Sequence, residues 1–133
     1  MEPHICRVRW ETGDPNDEWV EIANNSDARV ALTGLAITDF TQLQRAVHIY
    51  RFPPTTSGGS LMLGASQSAF IFTGVGENRW GTDSGGKTCL YLFMNRHAPI
   101  WNNSGDVVYL REIDGEFRHT FTLGDPARHP NGH

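Results

Sequence analysis

The chain reads as an all-β protein, an aligned β-sandwich of eight or nine strands, and three observations predict it. Helical periodicity is almost absent along the sequence. Short apolar runs alternate with turn signals at roughly the 8–12-residue spacing of sandwiches and barrels. Fourteen glycines and seven prolines in 133 residues supply those turns.

Taken in order, "HICRVRW" alternates Ile5, Arg7 and Arg9 against Cys6, Val8 and Trp10. "EWVEIAN" follows the acidic loop "ETGDPND" and, with Trp19 near its head, sets Val20 and Ile22 on one face. "VALTGLAITDF" reads as one strand carrying Leu32, Leu35 and Ile37, with Gly34 marking a bulge or bend. "AVHIYRFPP" aligns His48, Tyr50 and Phe52, then stops at a double proline that cannot sit mid-sheet. "TTSGGS" is a turn. "SAFIFTG", "TCLYLFM", "DVVYLREI" (with Leu110 on its apolar side) and "EFRHTFTL" complete the strands. Asp114-Gly115 between the last two is the strongest hairpin signal in the chain. Thr41 to Ala46 is the one stretch that could form a helical turn. Greek-key connections of immunoglobulin type are the natural expectation for such a set, although the Cys…Trp…Cys signature is missing. Residues 1–124 read as one domain, and 125–133 as a flexible, proline-punctuated tail.

Charge narrows the function classes. The net charge is −4, with 11 basic residues, so nothing draws the whole molecule towards phosphate backbones. Cys6 and Cys89 match no metal or redox spacing. They read as two separate buried thiols, although a bridge closing the long loop between them stays open at this point. The amino terminus lacks a signal-peptide pattern, and no stretch approaches the ~20 apolar residues of a membrane span. The expectation is a cytoplasmic chain if Met1 is the native start, and an extracellular one if the sequence is part of an exported protein.

Several clusters invite a chemical reading, and each has a plainer one. Glu18 and Glu21 flank Trp19, but three residues apart on a strand they face opposite sides and cannot share a substrate. Glu11, Asp14, Asp17 and Glu18 could offer hard oxygens to calcium. They lack the EF-hand order, and a solvated acidic loop is expected. The histidines at 4, 48, 97, 119, 129 and 133 are scattered, and "HPNGH" cannot be the helix that zinc spacing would need. "GVGENRWG" and "GGKTC" lack the glycine-lysine pattern of a phosphate loop. The two "NNS" triplets, at Asn24 and Asn102, are glycosylation acceptors in form and turns by expectation. No catalytic residue, cofactor or metal site is predicted.

"NDEWVEIAN", "VALTGLAITDF", "YRFPP" and "IWNNSGDVVYLREIDGEF" fall in an order and spacing that resembles the lamin tail domain. This is the immunoglobulin-like module of nuclear lamins, found widely in bacteria and archaea too. The likeness runs from about Val8 to Phe121. Two departures stand out: Leu35 replaces the family's usual tryptophan, and Leu63-Gly64 its Pro-Gly turn. The stretch "GTDSGGKTCLYLFMNRH" is longer than the likeness implies, and a function particular to this chain is expected there. Trp101, Asn102, Asn103, Gly105 and Asp106 then read as a structural corner. The asparagines and glycine tolerate left-handed backbone, Asp106 accepts turn amides, and Trp101 plugs the core near Ile22, Ile37 and Val108. With Trp19, Val20, Ile22, Ile37, Phe52 and Leu110 they form the expected core and turn set. The resemblance implies a non-catalytic binding or scaffolding module for a protein or other macromolecule. The alternative it suggests is a nucleic-acid-binding accessory domain, with Arg7, Arg9, Arg45, Arg51 and Arg118 lining a face.

Overall fold

The computed structural model describes residues 3–9, 14–38, 49–55, 57–82, 84–97, 107–112 and 117–122. Eleven strands lie among them: β1 (His4–Arg9), β2 (Trp19–Ala23), β3 (Val30–Ala31), β4 (Leu35–Thr38), β5 (Ile49–Arg51), β6 (Met62–Leu63), β7 (Ser68–Phe72), β8 (Arg79–Thr82), β9 (Thr88–Phe93), β10 (Val107–Glu112) and β11 (Phe117–Thr122). A five-stranded sheet runs β1-β2-β7-β9-β8, a four-stranded sheet β11-β10-β4-β5, and β3 pairs β6 in a short ladder. The outermost strands β1 and β11 come together on one side. Among the described residues the two sheets part on the other side, where β8 and β5 are the last strands. The result is an all-β sandwich of the immunoglobulin-like kind.

Period-two patterning builds the core. Val20 pairs Ile71, which pairs Leu92, and Ile22 pairs Ala69, which pairs Leu90. All six are buried, and Ile37, Leu110 and Val108 meet them from the facing sheet. Each such side chain contributes roughly 1.5–3 kcal/mol by leaving water. Most pairings are antiparallel, but β7 and β9 run parallel. The chain leaves β7, forms β8 at the sheet's far end, and returns through β9 into the place beside β7.

"VALTGLAITDF" is not one strand. The Leu35 N–H donates to the Leu32 carbonyl at 2.9 Å, and Gly34 takes φ +99°, the third-position geometry of a type II turn. That turn sends β3 and β4 to different sheets. A residue with a Cβ would be strained there.

The far end of β2 is held by Asn24. Its Nδ2 shares two hydrogens among the carbonyls of Ala28 (2.8 Å), Leu63 (3.1 Å) and Gly64 (3.0 Å). Its Oδ1 accepts from the Ser26 N–H and hydroxyl at 3.1 and 2.7 Å. Its backbone bonds Gln67 and Ser66. One fully buried amide thus ties β2 to the turn between β6 and β7. The glycosylation reading of Asn24 is closed, because the amide nitrogen is enclosed and committed.

Tyr50 opposes Ile37 in the β4–β5 pair and meets Phe52 edge to face at 5.4 Å. Its hydroxyl is buried and has no hydrogen-bond partner among the described residues, and burial raises its pKa. Removing that oxygen removes a desolvation cost and breaks no bond. Tyr50→Phe is expected to leave stability unchanged or raise it by up to about 1 kcal/mol, read from the urea unfolding midpoint.

Cys6 and Cys89 are both free thiols. They sit on β1 and β9, with β2 and β7 between them. Three strand spacings of about 4.8 Å set them roughly 14 Å apart, twice the reach of a disulfide.

Candidate interaction surface

The predicted core and turn residues fall into three groups. Val20, Ile22, Ile37, Phe52 and Leu110 are buried in the central cluster. Trp19 is half-buried on the outer face of the five-stranded sheet. Trp101, Asn102, Asn103, Gly105 and Asp106 lie outside the described residues, as do the Asp114-Gly115 connection and the 125–133 tail. The strands flanking Asp114-Gly115, β10 and β11, do pair antiparallel.

Three of the acidic residues, Asp14, Glu18 and Glu21, have structural partners. Asp14 caps the short 3-10 turn Pro15–Asp17, its side chain accepting from the Asn16 N–H at 2.9 Å. Glu18 corrects the expectation of a solvated acidic loop. It is fully buried and accepts the Thr73 hydroxyl at 2.7 Å, bracing the entry to β2 against the end of β7. Glu21 lies on the outer face and accepts from Arg7 Nε at 2.6 Å. The two carboxylates serve different faces and share no cleft. Among the described residues no three histidine, cysteine or acidic side chains gather as a metal would require.

Of the arginines proposed for a nucleic-acid face, the side chains of Arg7, Arg9 and Arg51 are described, and Arg51 stands apart from the other two. Arg7 and Arg9 belong to β1, at the closed side of the sandwich, whereas Arg51 is in β5 at the open side. Arg45 and the side chain of Arg118 lie outside the description.

Sequence reading missed an aromatic row on the outer face. Trp19 meets Phe70 edge to face at 5.3 Å, Phe70 stacks on Tyr91 at 6.0 Å, and Phe72 stacks on Phe93 at 5.3 Å. Arg7 covers the Trp19 ring at 5.4 Å, and Arg79 covers Tyr91 and Phe93 at 5.0 and 5.5 Å. Alternation along "SAFIF" and "CLYLF" was the available signal, because one residue in two had to face outward. The rings are spent on one another and on guanidinium groups. The row thus works as a thin apolar layer that seals the sheet, with cation–π contacts at both ends.

The open side offers something different. β8 is the last strand of its sheet, and Trp80 faces the core side beside Leu90. Even so, Trp80 remains 47% exposed. It borders a groove of about 270 Å³ lined by Leu61, Leu90 and Leu92, with Pro53 to Thr55 as its far wall and Asn78 and Arg79 at its rim. That wall is pinned: the Thr33 hydroxyl donates to the Pro53 carbonyl at 2.9 Å and accepts from the Leu61 N–H at 2.7 Å. Such a volume suits one or two side chains, and lies below the roughly 300–1,000 Å³ of small-molecule sites. Of its lining, Leu90 and Leu92 come from the Gly81–His97 stretch, and Asn78, Arg79 and Trp80 stand just before it.

A β-sandwich with an aromatic-sealed face, an open apolar edge and acids committed to structural bonds belongs to the class of immunoglobulin-like interaction domains. The family model of the Lamin Tail Domain matches residues 8–125, and the chain belongs to that family. Its members are immunoglobulin-like, protein-interacting and non-enzymatic domains. No curated protein matches the chain.

Proposed function

We propose that this domain is a non-catalytic binding module that recognises a protein partner at the open edge beside β8. Trp80 carries the reading. Half-exposed tryptophan over a preformed apolar groove is the usual composition of an interface anchor, and membership of an interaction family supports it. The commitment of Glu18 and Glu21 to structural bonds is consistent with that reading.

Affinity capture with the native domain and with Trp80→Ala, quantified by mass spectrometry, tests this. Loss of an interface anchor costs about 2 kcal/mol or more, roughly thirtyfold in affinity. Proteins held by the native domain are expected to fall away from the variant, while its thermal unfolding stays close to native. Equal retention by both proteins would overturn the reading.

A further inference from the structure

We infer that β8 takes an additional strand: an extended segment of a partner protein pairs with it, places an apolar side chain in the Trp80 groove, and sets a carboxylate beside Arg79. This rests on the protein-binding reading and specifies its mode.

Backbone hydrogen bonds carry the argument. The Met94 N–H donates to the Phe72 carbonyl at 2.8 Å. In a parallel pair this directs the even-numbered amides of β9 towards β7 and the odd-numbered ones towards β8. The Phe93 N–H obeys the rule, donating to the Asn78 side chain at 2.9 Å. Tyr91 and Cys89 therefore bond their opposite numbers, Arg79 and Gly81. Trp80, one residue out of phase, turns its own N–H and C=O away from the sheet. Among the described residues no strand lies beyond β8. The residue with the outward backbone pair is thus the same residue whose side chain borders the groove.

Strand geometry then dictates the ligand. A residue opposite Trp80 shares its face and points into the groove, so it is apolar. Its neighbour opposite Arg79 emerges on the outer face, where the guanidinium lies over Tyr91 and Phe93, and a carboxylate there is complementary. The neighbour opposite Gly81 meets no side chain from β8. It faces the Tyr91 ring, which lies so close over Gly81 that a Cβ would stand 2.6 Å from it. A second copy of this chain fits less well, because each copy carries a net charge of −4 and repels its like.

The probe is a capped heptapeptide with phenylalanine at its centre, glutamate following it, and threonine and valine elsewhere, titrated into the ¹⁵N-labelled domain. The Trp80 amide is expected to exchange freely in the unbound protein and at least tenfold more slowly at saturation. N-methylation of the phenylalanine removes one strand hydrogen bond and is expected to weaken binding about tenfold. Lysine in place of the glutamate should weaken binding to the native domain and restore it to Arg79→Glu. Four results would overturn the inference: no binding at millimolar peptide, equal binding of the N-methylated peptide, a Trp80 amide already protected in the free protein, or a concentration-dependent dimer abolished by Trp80→Ala. None of these touches the capture experiment, so the broader reading stands or falls separately.

Discussion

Asn24→Asp is expected to destabilise the domain by about 3–5 kcal/mol, the range for a buried charge left without compensation. The native amide donates to three carbonyl oxygens. A carboxylate of the same shape would face those oxygens with a negative charge and nothing to donate. The Ser26 bonds, which it could still accept, recover only part of the loss. Acid offers a second reading of the same variant. Its new carboxyl has a folded-state pKa raised above the unfolded value, since only the protonated form can donate. The deficit relative to native protein should therefore shrink as the pH falls through that raised value. Urea unfolding of both proteins at neutral and mildly acid pH measures both effects. A neutral-pH loss below about 1 kcal/mol would mean that the turn between β6 and β7 is held by other bonds.

Phe52→Ala should cost a similar amount, about 3–5 kcal/mol, as deletion of a large core aromatic usually does. Phe52 is buried at the open side, one residue beyond β5 and next to the groove's proline wall. Its N–H donates to the Leu35 carbonyl at 3.1 Å, so the backbone position is fixed and the emptied space cannot easily close. Phe52→Leu refills most of that space and should cost only about 1–2 kcal/mol. The two unfolding midpoints, with unchanged denaturant slopes, give the comparison. Equal losses would show that the aromatic edge contact with Tyr50, rather than volume, sets the cost.

Where two neighbours on a strand differ in polarity, the sequence was readable. Val20 and Ile22 point inward because period two leaves them no other face. The hairpin strands of β10 and β11 followed from alternation on both sides of Asp114-Gly115. β8 escaped because "RWGT" is four residues with a glycine inside, and its strand state comes wholly from pairing with β9. β3 and β6 are shorter still. The parallel β7–β9 pair depends on a non-local return of the chain that no local pattern encodes. Glu18 looked solvated because its neighbours in the loop are, and its partner Thr73 is 55 residues away. The groove was not legible, because its lining joins Pro53 to Thr55, Leu61, Asn78 to Trp80, Leu90 and Leu92 from separate parts of the chain. Trp80 gave no sign of exposure, because a lone tryptophan in a turn-rich stretch reads equally well as core.

The spacing of the two cysteines has a consequence for where the domain can work. Thiols three strands apart cannot join within one chain, so the fold gains nothing from an oxidising compartment and loses nothing in a reducing one. Burial, reinforced by the Glu21 carboxylate, pushes the Cys6 thiol up to about 12, which leaves almost no thiolate at neutral pH to attack a disulfide or a peroxide. Cys89 is shielded by burial outright. The fold is therefore held by non-covalent contacts alone, with no covalent link between Cys6 and Cys89 for a change of redox poise to make or break.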